Sequence, residues 1–169
     1  ELGLDAFEVR IGLNSGQATV GNMGSENRFD YTAMGDEVNL ASRLEGANKA
    51  FGTRILLGSK TREQAGEAVL VNPIAGVVVV GRSKPERVWE LLAMADEATE
   101  DQRAHAAAFG RAHAAAQEGD LAVAREALAE ADRLRPGEGP CAWLGGILDR
   151  MEAGEEPTPW SGVVVLAGK

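Results

Sequence analysis

Two polar side chains, Asn39 and Arg43, are four residues apart in the segment YTAMGDEVNLASRLEGAN (residues 31–48). The second half of this segment has the apolar spacing of a helix, and residues four apart on a helix lie on the same face. An amide near a helix start and a guanidinium one turn later can bind one anionic ligand, because the helix N-terminus also favours negative charge. The pattern predicts a clamp for phosphate and sugar. The alternative is a surface ion pair of Arg43 with Glu37 or Glu45.

Other candidate sites are weaker. GVVVVGRS (residues 76–83) imitates a phosphate-binding loop, but four consecutive valines indicate a strand and Pro85 prevents a following helix. His105 and His113 are eight residues apart, whereas metal-binding pairs on a helix are three or four apart, so a packing or solvated role is predicted. Cys141 has no histidine nearby in sequence to activate it, which predicts a buried structural thiol. These residues predict no metal site.

Composition limits the function classes. The chain has 169 residues, 44% of them apolar, which fits one medium domain or a domain with a small appendage. A formal net charge of −9 argues against nucleic-acid binding and requires placed arginines or metal ions for any anionic ligand. The single cysteine fits a reducing, cytoplasmic compartment. No apolar run approaches the roughly 18–20 residues of a membrane span, and no signal peptide opens the chain.

Residues 1–95 have the pattern of an α+β fold. FEVRIGL has the period of a half-buried strand, and QATVGNMG after Gly16 is predicted to be its hairpin partner. RFDYTAM and TRILLGS predict further strands, and AGVVVV and ERVWELLAM predict a final strand pair joined through GRSKP. The residues predicted to share the buried face of the first strand are Phe7, Val9, Ile11 and Leu13.

Two helices are predicted within this part. Asp36 is the expected N-cap of a helix from about Glu37 to Lys49, and KTREQAGE is expected to form a short helix with Ser59 as a possible cap. The predicted inward stripe of the longer helix is Leu40, Leu44, Ala47 and Phe51.

The chain changes character after residue 95. Residues 96–102 are expected to be an acidic linker, 103–154 a helical region and 155–169 a tail too rich in proline for helix. Arg103 to Leu134, broken at EGD, predicts an antiparallel helix pair with the spacing of a tetratricopeptide (TPR) unit closed by Pro136, and GPCAWLGGILDRMEAG predicts a further helix. Ala108 and Arg111 stand where that repeat usually has bulkier apolar residues. The positions that match its small or apolar residues are Ala112, Gly119, Ala124, Leu128 and Ala131.

The segment VRIGLNSGQATVGNMGSENRFDYTAMGDEVNLASRLEGANKAFG, followed by GRSKPERVWELL, resembles the C-terminal half of a class III adenylate/guanylate cyclase catalytic domain. The resemblance covers Phe7 to Leu92 and implies a ferredoxin-like fold in a homodimer with active sites at the interface. It implies attack of the ribose 3′-oxygen of ATP on the α-phosphate with release of pyrophosphate. Asn39 would orient the ribose, Arg43 would stabilise charge on the phosphate in the transition state, and Thr32 would contact the purine base.

The same resemblance implies parts that this sequence lacks. The family's Mg²⁺- or Mn²⁺-binding aspartates and base-selecting lysine belong to upstream segments, so we expect a C-terminal fragment that is inactive alone. The family often has lysine where this chain has Val80, and the residues leave open whether Arg82 replaces that phosphate contact. The C-terminal part is similar to bacterial membrane-anchored cyclases, which implies an upstream membrane anchor and a cytoplasmic location for this segment.

Two other functions remain open from the sequence. The chain could be a non-catalytic, cyclase-like regulatory module, which the upstream aspartates would decide. The helical region could instead be an adaptor for partner proteins, although about three repeats are usually needed for a stable stack.

Overall fold

The computed structural model describes residues 8–25, 28–78 and 84–165, and the predicted strand residue Phe7 lies outside them. No helix in these ranges is long and apolar enough to cross a membrane. The elements, in chain order, are β1 (Ile11–Leu13), β2 (Thr19–Ser25), β3 (Arg28–Met34), α1 (Asp36–Phe51), β4 (Ile55–Gly58), α2 (Ser59–Ala65), β5 (Val69–Val78), β6 (Glu86–Met94), α3 (Glu100–Glu118), α4 (Leu121–Leu134), α5 (Gly139–Glu152) and β7 (Val163–Val165).

The strands form a five-stranded sheet, in the order β1-β4-β6-β5-β7, and a separate β2–β3 hairpin. The predicted hairpin between β1 and β2 is therefore wrong: β1 pairs in parallel with β4, and β2 pairs with β3. The two residues that follow β1 contact the helices α1 and α2. Asn14 Nδ2 donates to the carbonyl oxygen of Glu37 in α1, and the Ser15 hydroxyl is 3.0 Å from that of Thr61 in α2.

The buried face of β1 differs from the predicted one. Val9, Ile11 and Leu13 are 65%, 37% and 40% exposed. Successive side chains on a strand point to opposite faces, and here Gly12 faces α1. A Cβ atom on Gly12 would lie 2.1 Å from the carbonyl oxygen of Ala41. The helix therefore packs directly on the strand backbone, and the apolar side chains point away from it.

A buried asparagine joins the same helix and strand. Asn48, fully buried in α1, donates from Nδ2 to the carbonyl oxygens of Ile11 (3.0 Å) and Leu44 (2.9 Å). Its Oδ1 accepts from the Thr53 hydroxyl at 2.7 Å. One side chain thus ties the end of α1 to β1 and to the turn that leads into β4.

The predicted inward stripe of α1 is confirmed, because all four of its residues are buried. The predicted caps of the first two helices are wrong. Gly35, with φ +145°, is the N-cap of α1, and Asp36 is the first helical residue. Gly58 caps α2, of which Ser59 is the first residue. Glycine suits position 35 because this backbone conformation strains residues that carry a Cβ.

The predicted helix pair is present as α3 and α4. A capping box between Thr99 and Gln102 starts α3 at Glu100, inside the segment expected to be a linker. Gly119, with φ +84°, makes the turn, and Asp120 caps α4 by accepting from the amide of Val123. The predicted further helix is α5.

The helices share one hydrophobic core with the sheet. Trp143 of α5 meets Phe51 of α1 edge to face, with 5.2 Å between ring centroids. The tail then returns to the sheet: Trp160 is buried, its amide donates to the carbonyl oxygen of Ala116, and β7 pairs in parallel with β5. The chain after α5 therefore adds a strand to the sheet edge.

The histidines of α3 pack against backbone, in agreement with the packing role predicted for them. His105 is fully buried, with Nδ1 3.0 Å from the carbonyl oxygen of Ala131. His113 is half-buried, and its Nε2 is 2.8 Å from the carbonyl oxygen of Ile74. Burial lowers the pKa of His113. Cys141 is buried, as predicted.

We predict that Gly12→Ala lowers the free energy of unfolding by about 3 kcal/mol or more, because the new methyl group overlaps the backbone of α1. Urea denaturation of the 169-residue chain measures the change. Gly46→Ala in the same helix is the control: a Cβ there meets nothing within 4 Å, so it should stabilise the chain by about 0.5–1 kcal/mol. Equal effects of the two substitutions would contradict the close packing of α1 on β1.

Candidate active site

The predicted clamp residues lie on the solvent side of α1. Asn39 and Arg43 are both exposed, and each is followed by a leucine of the inward stripe, Leu40 or Leu44, that is 1% exposed. The buried leucines fix the rotation of the helix about its axis. The structure thus places the amide in the first two turns of α1 and the guanidinium one turn later.

The third predicted site residue, Thr32, is exposed on β3, opposite Gly21 of β2. The chain passes from β3 into α1 through Gly35, whose carbonyl oxygen accepts from the amides of Val38 and Asn39 at 3.1 Å each. Thr32 therefore lies in the two-stranded sheet, and the clamp residues lie on the helix that follows it. A turn at Gly35 therefore connects the strand that carries Thr32 to the helix that carries the clamp residues.

Glu37, one of the two partners considered for a surface ion pair with Arg43, has other contacts in the structure. One carboxylate oxygen is 3.1 Å from Lys60 Nζ, and the other accepts from Asn14 Nδ2 at 2.7 Å. A Cβ on Gly58 would lie 2.5 Å from Asn14 Oδ1, so a larger residue there would displace this asparagine. These contacts anchor the start of α1 between β1 and α2.

The sequence patterns did not predict the residues that anchor the start of α1. Asn14 and Lys60 lie in separate elements from Glu37, and no local spacing relates them. The available signal was positional: Asn14 comes directly after a strand and before a glycine-punctuated segment, where polar side chains often bind a neighbouring backbone.

Several large apolar side chains are exposed on β1 and on the β2–β3 hairpin. Their exposed fractions lie between 37% and 76%. They are Ile11, Leu13, Val20, Tyr31 and Met34.

Metal binding finds no support in the described residues. No group of three or more His, Cys, Asp or Glu side chains within residues 8–25, 28–78 and 84–165 could hold an ion. Val80 and Arg82, the two residues considered for a phosphate contact, lie outside these ranges. The three predicted site residues offer amide, hydroxyl and guanidinium groups, which suit an anionic ligand with sugar hydroxyls.

Residues 3–89 match the family model of the adenylate and guanylate cyclase catalytic domain. Adenylate cyclase 1 of Rhizobium meliloti is 41% identical over 90 residues, which are 53% of this chain and 14% of that protein. The terminal-differentiation specific adenylate cyclase of Dictyostelium discoideum is 36% identical over 101 residues, which are 58% of this chain and 5% of that protein. The chain therefore spans a small part of these relatives.

The chain is also similar to a solved structure. It is the crystal structure of the adenylyl cyclase CyaB from P. aeruginosa, 33% identical, with a TM-score of 0.46. The match covers 53% of this chain and 45% of that one.

Substitution of two asparagines of α1 should distinguish a structural role from a role in ligand binding. We predict that Asn48→Ala lowers the free energy of unfolding by about 2 kcal/mol or more, because it removes the hydrogen bonds of Asn48 to the Ile11 carbonyl and the Thr53 hydroxyl. Asn39→Ala, on the exposed face, should change it by less than about 0.5 kcal/mol. Urea denaturation of both variants measures this difference. A large loss in Asn39→Ala would show that this amide supports the fold.

Proposed function

Because the chain belongs to the adenylate and guanylate cyclase catalytic domain family, we propose that the whole protein is a class III adenylate cyclase in signal transduction. It would convert ATP to cyclic AMP and pyrophosphate. The observation that carries the proposal is the exposure of Asn39 and Arg43, one turn apart on a helix whose other face is fixed in the core. The 41% identity to an adenylate cyclase supports ATP as the substrate.

The proposed mechanism uses these residues for positioning and charge. The ribose 3′-hydroxyl releases its proton to solvent, and its oxygen forms a bond to the α-phosphorus while the bond from that phosphorus to pyrophosphate breaks. The Asn39 amide would orient the ribose, so that its 3′-oxygen faces the α-phosphate. The Arg43 guanidinium would donate to the phosphate oxygens as negative charge develops on them. Thr32 would donate to or accept from the edge of the purine base.

Magnesium or manganese ions are part of this proposal, but the described residues do not form their site. We propose that aspartates of the whole protein, upstream of the present sequence, hold them. When bound, such ions would neutralise phosphate charge, which is needed beside a chain whose net charge is −9. The residues described here contribute the clamp.

We further propose that the whole protein is a homodimer through its cyclase region. The exposed apolar side chains of β1 and of the β2–β3 hairpin support this, since apolar residues are enriched at the core of protein interfaces. One of these side chains, Tyr31, directly precedes Thr32 in β3.

For the C-terminal part we propose a TPR-like helix pair that follows a cyclase region of residues 1–95. In support, Ala112 of α3 and Ala124 of α4 are fully buried, as expected for small residues where two helices cross closely. Gly119 closes the turn between them. One such pair is too short to form a binding groove of stacked repeats, so we favour a role in supporting the sheet.

We predict that Arg43→Ala lowers kcat of the whole protein by about 10²–10³-fold, the usual effect of removing one donor to a transition-state oxyanion. KM should change much less, because base contacts and metal ions would carry ground-state binding. Lys49→Ala, an exposed cation of the same helix, is the matched control and should leave kcat unchanged. Steady-state kinetics with ATP and magnesium measure both variants.

A mixing experiment extends this test. If the site is shared between subunits, Arg43→Ala protein should regain activity when mixed with a variant that is inactive through its metal-binding side. A near-normal kcat in Arg43→Ala protein would instead return Arg43 to a surface role.

We predict that the whole protein prefers ATP to GTP, as measured by kcat/KM for each nucleotide. Thr32→Val keeps the shape of the side chain and removes its hydroxyl, so it should lower kcat/KM for ATP by about 3- to 10-fold, the value of one hydrogen bond. A higher kcat/KM for GTP in the unmodified protein would overturn the assignment of ATP as substrate.

A further inference from the structure

Three buried polar side chains meet where α3 packs on the sheet. Asn72 of β5 and His105 of α3 are fully buried, and Glu90 of β6 is 6% exposed. Asn72 lies opposite Glu90 in the strand register, and its Nδ2 donates to Glu90 Oε2 at 2.9 Å and to His105 Nε2 at 3.2 Å. His105 Nδ1 donates to the carbonyl oxygen of Ala131 in α4. Hydrogen bonds therefore run from the sheet through α3 to α4.

The cluster is short of donors. Both hydrogens of the Asn72 amide are used, and the other end of that amide, the buried Oδ1, has no partner within the described ranges. Among the same residues, the Glu90 carboxylate receives its one hydrogen bond from Asn72. A buried carboxylate usually needs several donors or a close cation to remain charged. A carboxyl hydrogen on Glu90 would add a donor to a cluster that lacks one.

Burial raises the pKa of Glu90 to about 7. The nearby charge of Glu138, at the start of α5, raises this pKa further, while the Asn72 hydrogen bond and the charge of Arg135, which follows α4, lower it. On the sheet side, β4 places the apolar Leu56 opposite Glu90.

Two more groups complete the surroundings of Glu90. The second helix, α2, meets β6 at its other end, where the amide of Ser59 donates to Glu86. The Cys141 thiol of α5 has a pKa raised to about 12, mainly by burial and then by Asp132, Glu138 and Glu90. This thiol therefore lies close enough to the cluster to sense its charge.

We propose that Glu90, Asn72 and His105 form a proton-responsive joint, which holds the helices α3–α5 firmly on the sheet while Glu90 is protonated and less firmly once Glu90 is ionised. The joint connects the cyclase sheet with the helices that follow it, and it does not depend on which nucleotide the protein uses. Its function is to make the attachment of those helices respond to pH near neutrality.

The direction of the response follows from linkage. The closed joint binds the proton of Glu90 up to about pH 7, whereas an opened joint releases it near the ordinary pKa of 4.5. Protection of the joint against opening is therefore greatest at low pH, falls as pH rises between these two values, and becomes constant above the higher one.

Cys141 provides the probe for this opening, because it is the single cysteine of the chain and is 4% exposed. Its alkylation by iodoacetamide, followed by mass spectrometry, is compared at each pH with that of the urea-unfolded chain, which corrects for ionisation of the thiol. With pKa values of about 7 and 4.5 for the closed and open joint, protection should fall by up to about 30-fold from about pH 5.5 to about pH 8.5. The lowered pKa of His113, which the same opening exposes, acts in the opposite direction and reduces this fall.

Three variants test which residue of the joint binds the proton that controls its opening. Glu90→Gln, which cannot ionise, should remove the fall in protection with rising pH. The lowered pKa of His113, which also leaves the sheet when α3 opens, would make protection rise with pH in this variant. Glu97→Gln, at an exposed position before α3, should behave like the unmodified chain. In His105→Gln, the new amide can donate to the Ala131 carbonyl and accept from Asn72, so the pH response should persist.

Each outcome decides the proposal. Protection that does not change with pH in the unmodified chain overturns it, even if a variant fails to fold. A response that persists in Glu90→Gln and disappears in His105→Gln assigns the proton to the histidine and overturns the role of Glu90. Loss of the response in Glu90→Gln, with Glu97→Gln unchanged, supports it.

Discussion

The contact between α1 and the backbone of β1 fixes the position of the proposed site. No side chain separates the two elements at Gly12, and the buried Asn48 adds hydrogen bonds between them. The close packing and the buried leucines together set the height and rotation of α1. The helix backbone at Asn39 and Arg43 is therefore fixed while both side chains are exposed. A fixed backbone suits the proposed transition-state contact, because its donors must be positioned before reaction.

Much of the fold could be predicted from local patterns. The stripe of α1 and the α3–α4 pair follow from helical periodicity and from glycine and aspartate at the turn. The buried face of β1 could not, because alternation groups Ile11 with Leu13 but does not say whether they or Gly12 face the helix. The partner of β1 also depended on tertiary contacts of Asn14 and Ser15, which no local spacing encodes.

The candidate site, like the fold, could be predicted from local patterns only in part. The spacing of Asn39 and Arg43 predicted one exposed helix face, and the structure has them there. Residues that support the site act across long stretches of chain, and their partners cannot be read from neighbouring positions. The buried pair of Asn72 and Glu90 left a weak signal, since each interrupts an apolar strand at a position that should face the core. A polar residue there needs a partner from another element.

The return of the tail to the sheet has a mechanical consequence. Because β7 pairs with β5 and α3–α5 lie between β6 and β7 in the chain, these helices are tethered to one sheet at both ends. A pulling force applied beyond Val165 would act first on the β5–β7 pairing and on the buried Trp160, and it would reach the helices after these give way. Tension on this end of the chain is thus borne by the sheet that also carries β1 and, through it, α1.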